Sequence, residues 1–269
     1  MDDILTDLSP QALARAVQAN LYTFFRFFSR SPSVDFSQSG ATYRWHTPVR
    51  HPWFNGVLVA QPPGRDAKRL IAETVAYFQQ RDVDVFTWWL EPDPELSAWE
   101  VPLSTRGFHY TADTPGMAVE LTALRDPPQP PPNLQIQPVT SQAVLKTWAS
   151  TFGAGYGLDM DTTSAYSGLI ASLGVDLPLR YYLGFLDGKP VSASTLYLGA
   201  GVAGIYNVGT LPAARGLGIG TQITAKPLLE ARQMGYQVGV LQSSTMGFNV
   251  YQRLGFQHLV DMGYYYWTA

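Results

Sequence analysis

Cysteine is missing from this chain of 269 residues. Its absence excludes disulfide staples and thiolate metal sites, and it removes the thiol on which an acyl group could pause between donor and acceptor. Charge is scarce too: 14% of residues are Asp, Glu, Lys or Arg, with a formal net charge of −3. That balance offers no basic field to a phosphate backbone, so nucleic acid is not an expected partner. No apolar run is long enough for a membrane span or a secretion leader, and the chain opens on acidic Asp2-Asp3. A cytoplasmic protein with no membrane partner is the expectation.

Glycine, proline and aromatic side chains are present in quantity. Aromatics make up 13% of the chain, including Trp45, Trp53, Trp88, Trp89, Trp99, Trp148 and Trp267, a load that suits well-packed cores. Prolines cluster in Pro127-Pro128-Gln129-Pro130-Pro131-Pro132. Residues that cannot donate to a helix or a ladder favour an extended spacer, so two domains are expected, 1–126 and 133–269, joined by 127–132.

The glycines are most informative at 204–221. An apolar strand through Ile205-Tyr206-Asn207-Val208 runs into a turn marked by Pro212, after which Gly216, Gly218 and Gly220 open a predicted helix over 220–234. Phosphate oxygens can approach the main chain closely at such positions, and the first N–H groups of a helix lack internal partners. The pattern is an anion cradle fit for a pyrophosphate. Two other nucleotide loops fail on spacing. A P-loop needs Lys-Ser or Lys-Thr after its last glycine, where Thr221-Gln222 stands. A dinucleotide fingerprint needs two further residues before its third glycine and an acidic end to the next strand, which here closes on Gln242. Pro227, inside the predicted helix, is expected to kink it.

A second motif follows. Gly247, Val250, Tyr251 and Leu254 share one helical face, and Gly255 is placed to stop that helix in a left-handed cap. An arginine and Gly-x-Gly-x-Gly after a strand, then Tyr-x-x-Leu-Gly-Phe over 251–256, resemble the two signature segments of the GNAT superfamily, the acyl-coenzyme A-dependent N-acetyltransferases. The resemblance implies a mixed, mostly antiparallel α/β (α+β) sheet flanked by helices. It also implies acetyl-coenzyme A as donor, no metal, and a small-molecule primary amine as acceptor. Carried onto this chain, it implies pantetheine bonded through the main chain of Val208, Gly209 and Thr210. Gly216, Leu217, Gly218, Ile219, Gly220 and Thr221 would hold the pyrophosphate, with Arg215 at the loop entrance, and Tyr251 would be the catalytic acid for the leaving sulfur. Ser244 stands where many relatives have an Asn that touches the cofactor arm, and Gly247 would leave room for that arm beside the phenol.

Before the proline run the patterns predict an amphipathic helix from Ser9-Pro10 to Phe28, strands at 41–45 and 56–60, a helix over 67–81 and a strand at 85–90. That order mirrors the second half, with Gln61-Pro62-Pro63-Gly64-Arg65-Asp66 in place of the glycine loop. The first half is therefore expected to be GNAT-like without a cofactor loop, an unrelated α/β cap being the alternative. In the second half, Asp187-Gly188 is a hairpin signal between strands at 180–186 and 191–198. No Asp or Glu lies in 206–210 or 238–242, so the general base is unassigned, with Asp159, Asp161, Asp176 and His258 as candidates near the acceptor side. A non-catalytic acyl-coenzyme A sensor and an acetyltransferase acting on a protein amine remain as alternatives. A monomer or homodimer is the expected assembly.

Overall fold

The structure, a computed structural model, describes residues 3–90 and 94–269. In chain order its elements are α1 (Pro10–Phe27), β1 (Asp35–Ser39), β2 (Thr42–His46), β3 (Gly56–Val59), α2 (Ala67–Gln79), β4 (Val85–Leu90), α3 (Glu100–Ser104) and β5 (Phe108–Glu120). There follow β6 (Leu134–Pro138), α4 (Gln142–Tyr156), α5 (Met160–Leu173), β7 (Leu179–Leu186), β8 (Lys189–Gly199), β9 (Val202–Thr210), α6 (Ile219–Gln233), β10 (Val238–Gln242), α7 (Phe248–Arg253) and β11 (Gln257–Thr268).

The chain divides into two compact units that are not contiguous in sequence. One comprises Met1–Phe27 with Pro115–Val260, the other Phe28–Thr114 with Asp261–Ala269. This grouping departs from the expected halves, because the proline run at 127–132 falls inside the first unit. Buried side chains explain why α1 joins the later residues: Asn20 donates through Nδ2 to the Gly199 carbonyl at 2.8 Å and accepts from the Tyr206 hydroxyl at 2.6 Å. A Cβ on Gly204 would lie 2.0 Å from Asn20 Oδ1, so only glycine admits the helix at this distance.

In the first unit the strand order is β5-β10-β9-β8-β7-β6. All neighbours are antiparallel except β9 and β10. Asp187 and Gly188 take φ of 49° and 74° between β7 and β8, and Ala200 and Gly201 take 51° and 73° between β8 and β9, the double left-handed geometry that matches strand twist in a two-residue turn. Alternation along β9 sends Ala203 and Ile205 to a core shared with Ile223 and Leu228 of α6, while Gly204 and Tyr206 meet α1. Helices therefore cover both faces of this strand. On the α1 face, Ser141 caps α4 through the Val144 amide and Asp159 caps α5 through the Thr162 amide, and Trp148 of α4 is fully buried.

Helix α6 runs without interruption through Pro227. Proline has no N–H, so the carbonyl of Ile223, four residues earlier, loses its helical partner. The buried Ser194 hydroxyl on β8 donates to that carbonyl at 2.8 Å.

The second unit has the strand order β1-β2-β3-β4-β11. Its core gathers Val57, Ile71, Phe78, Phe86, Trp88 and Trp267. Parallel β3 and β4 stay paired from Gly56–Thr87 to Val59–Leu90.

Ser194→Ala should lower unfolding stability by about 1–3 kcal/mol, because it strands a buried carbonyl. In a Pro227→Ala background, where residue 227 can donate again, the same change should cost measurably less in urea titrations.

Candidate active site

Two parallel strands part at the centre of the first unit. β9 and β10 pair only at Ala203–Gly239 and Gly204–Val240, after which β9 continues to Thr210 without β10 beside it. Backbone groups of a strand point alternately to its two neighbours, so the edge of β9 that faced β10 is left with donors and acceptors lining a gap. On its other edge β9 carries a bulge. Ala193 pairs with Gly209 and Thr195 with Tyr206, so Asn207 and Val208 together oppose Ser194. Asn207 holds φ of 54°, uncommon for a residue with a side chain, and its Nδ2 donates to the Tyr166 hydroxyl at 2.9 Å and to Thr195 Oγ1 at 3.2 Å.

Beyond Thr210 the chain turns through Pro212 into the glycine loop. Gly216 and Gly218 take φ of 78° and 76°, and Gly218 is the N-cap of α6. Its carbonyl accepts from Thr221 and Gln222, so the helix's own bonding begins there and the preceding N–H groups face outward. Ile219 and Thr221 bury their side chains and Leu217 exposes only hydrocarbon, which leaves backbone as the loop's exposed polar chemistry. Gly220 differs from its neighbours. Its φ is not positive, and an added Cβ would meet nothing nearer than Thr210 Oγ1 at 3.8 Å. The protein itself does not demand a glycine here; open space at a helix N-terminus is what an approaching phosphate requires. The cradle therefore fits a diphosphate.

Arg215, at the loop entrance, bonds backbone carbonyls. Its guanidinium donates to the Thr210 carbonyl at 3.1 Å and to the Gly155 carbonyl at 2.8 Å, clamping the last turn of α4 to the end of β9. That clamp brings in Tyr156, which sequence reasoning did not single out: a Cβ on Gly209 would lie 3.2 Å from its ring. Desolvation pushes the Tyr156 phenol up to about 12, and 41% of the residue is exposed.

Tyr251 is buried, and no described residue hydrogen-bonds its hydroxyl. Burial raises its pKa above the ordinary phenol value, and the neighbouring Tyr156 phenol raises it further. Gly247 serves Tyr251 directly: a Cβ there would stand 2.8 Å from the Tyr251 ring, so the space expected for a ligand arm is taken by the phenol. Ser244 holds the turn before α7, its Oγ accepting from the Gly247 amide at 3.2 Å and its carbonyl accepting from Gly247 and Phe248. Gly255, at φ of 99°, stops α7 as expected.

The candidate bases are all on the surface: Asp159, Asp161, Asp176 and His258 are exposed. Asp159 is moreover committed to capping α5, and the amide and hydroxyl of Thr162 hold its carboxyl below the usual value, which weakens it as a base. No group of three His, Cys, Asp or Glu that could hold a metal occurs among the described residues, and none of their helices is long and apolar enough to cross a membrane.

A sheet opened between two parallel strands, with a glycine-led helix N-terminus following the first of them, is the architecture of the GNAT fold. Residues 143–256 match the model of the acetyltransferase (GNAT) family, and the chain carries a GNAT domain there. GNAT proteins are acyltransferases that use acyl-coenzyme A and act on amine acceptors. No curated protein matches the chain. Among solved structures it is similar to a GCN5-related N-acetyltransferase from Kribbella flavida, at 20% identity and a TM-score of 0.70 over 95% of each chain. It is also similar to one from Sphaerobacter thermophilus, at 15% identity and a TM-score of 0.60 over 84% of this chain and 75% of that one. A tandem GNAT protein from the clavulanic acid biosynthesis pathway aligns at 13% identity and a TM-score of 0.59, over 99% of this chain and 97% of that one. At these identities the likeness establishes the fold.

Gly220→Ala should leave thermal stability unchanged or raise it by up to about 1 kcal/mol, since alanine suits a helix better. The same change should weaken coenzyme A binding about tenfold, a loss of roughly 1.4 kcal/mol readable by calorimetry. A variant that loses stability but keeps its affinity would move the ligand away from this loop.

Proposed function

We propose that the protein is an N-acetyltransferase that moves an acetyl group from acetyl-coenzyme A to a primary amine of a small molecule by direct attack. One observation carries this reading. A buried phenol unbonded by the described residues, Tyr251, shares its surroundings with Tyr156 beside Gly209, on the strand whose edge is open. A pure binder of the carrier has no use for a proton donor there, which favours an enzyme over a sensor. The absence of cysteine favours direct attack over an acyl-thiol enzyme.

Bound coenzyme A supplies an acyl thioester, an electrophile open to a neutral amine. The residues of this chain divide the remaining work. Backbone amides of Gly216, Leu217, Gly218, Ile219, Gly220 and Thr221 grip the diphosphate, and main-chain groups of Val208, Gly209 and Thr210 align the arm, while Arg215 acts by clamping rather than by touching phosphate. An amide on the open edge of β9 near Val208 steadies the oxygen on which charge develops. Tyr251 keeps a proton on its hydroxyl for the leaving sulfur. With Asp159 committed to its cap, the amine sheds its proton to water.

The second unit supports the expectation of a GNAT-like partner domain without a cofactor loop. Between β3 and α2 the N-cap is Asp66, an acid paired to Arg69 at 3.2 Å, and acid at a helix N-terminus repels phosphate. The location proposed is the cytoplasm.

Release of free thiol from acetyl-coenzyme A in the presence of an amine panel tests the activity. Tyr251→Phe should lower kcat by about 100-fold while leaving the affinity for coenzyme A unchanged. Because the Tyr251 pKa is raised and its protonated form is the working one, kcat should show no alkaline fall from this group below about pH 10. Equal turnover by Tyr251→Phe and the parent would remove Tyr251 from the mechanism.

A further inference from the structure

The end of α4 is built to bring one large side chain up to β9. Its last residues are Gly153-Ala154-Gly155-Tyr156, and the left-handed Gly157, at φ of 72°, closes the helix. Each glycine admits a close neighbour. A Cβ on Gly153 would lie 2.3 Å from Thr163 Oγ1 of α5, and one on Gly155 would lie 3.3 Å from the Thr210 amide of β9. Arg215 then locks the turn through the Gly155 carbonyl. Tyr156 is the one bulky residue the turn presents.

Its ring is supported from behind by an aromatic stack. The centroid of Phe152 stands 4.8 Å from that of Tyr156, and Phe152 itself packs on Trp148 at 5.4 Å and on Tyr166 at 5.3 Å. Trp148 is tied to the sheet by its indole N–H, which donates to the Ser194 carbonyl at 3.0 Å. On its front side the Tyr156 ring meets the bare backbone of Gly209, where an added Cβ would stand 3.2 Å from the ring, a tight contact. The ring is backed by Phe152, itself held by Trp148 and Tyr166, and faces a glycine in front, yet 41% of Tyr156 remains exposed. Packing alone does not call for so large a side chain at an open position.

We infer that the ring of Tyr156 bounds the space beside Gly209 and Tyr251 that receives the acyl group, and so sets how long an acyl chain the site accepts. This inference rests on the acyl-transfer reading of the site. Selectivity here is a matter of volume, and the phenolic hydroxyl has no part in it.

The test uses the full chain and titration calorimetry with acetyl-, butyryl- and hexanoyl-coenzyme A, followed by thiol release with any amine the parent accepts. The parent should bind hexanoyl-coenzyme A more weakly than acetyl-coenzyme A. Tyr156→Ala should shift the hexanoyl-to-acetyl affinity ratio toward the longer chain by about tenfold or more, the scale on which a pocket senses added methylenes. Tyr156→Phe should keep the parent's order, and kcat/KM for the three donors should follow the affinities. Equal weakening of all three donors by Tyr156→Ala would overturn the inference and leave the ring a purely structural brace. A shift produced by Tyr156→Phe as large as that of Tyr156→Ala would overturn it as well. A parent that binds none of the three donors would instead sink the acyl-coenzyme A reading, and the inference with it.

Discussion

The parting of β9 from β10 is the constraint around which the first unit is arranged. Beyond Gly204–Val240 the inner edge of β9 gives up ladder partners, and a buried backbone group without a partner costs about 1–3 kcal/mol. A strand in that position would close onto its neighbour or fray unless held from elsewhere. β8 secures the outer edge as far as Thr210, with the bulge at Asn207 and Val208 built into the pairing. Asn20 grips Tyr206 just before the bulge, the Tyr166 hydroxyl accepts from Asn207 within it, and Arg215 fastens Thr210 at the far end. An open edge that is held open is what a ligand's amide groups can complete.

These braces also give the site its electrical character. Tyr156, Tyr166 and Tyr251 all have pKa values raised by desolvation, so the side chains around Gly209 and Asn207 are neutral hydrogen-bonding groups at physiological pH. Arg215 is the cation at hand, and both of its bonds go to backbone carbonyls. Positive charge for a diphosphate comes from backbone instead, at the N-terminus of α6.

Compensation by distant residues recurs through this unit. Pro227 interrupts the bonding of α6, and Ser194 on β8 meets the carbonyl left over. Gly204 gives up its side chain to α1, and Gly247 to Tyr251. In each case a residue odd for its local element is matched by a partner remote in sequence or one turn away. Local propensity taken alone reads such residues as faults.

The sequence by itself determined the local elements and the chemistry of the loop. Periodicity placed α1, α2, β3, β4, α6 and β10 to within a few residues, Asp187-Gly188 set its hairpin, and the spaced glycines marked the start of α6, because these features depend on neighbours within one or two turns. The GNAT resemblance rested on the same local patterns. Only the tertiary structure decided that α1 packs with Pro115–Val260, that Arg215 is a clamp, that Gly247 makes way for Tyr251, and that Tyr156 stands at Gly209. Except for Gly247 and Tyr251, which lie one turn apart, those outcomes depend on residues far apart in the chain, 60 positions for Arg215 with Gly155 and 186 for Tyr206 with Asn20. No short-range pattern encodes such pairs, since side chains that far apart meet only once the sheet has assembled.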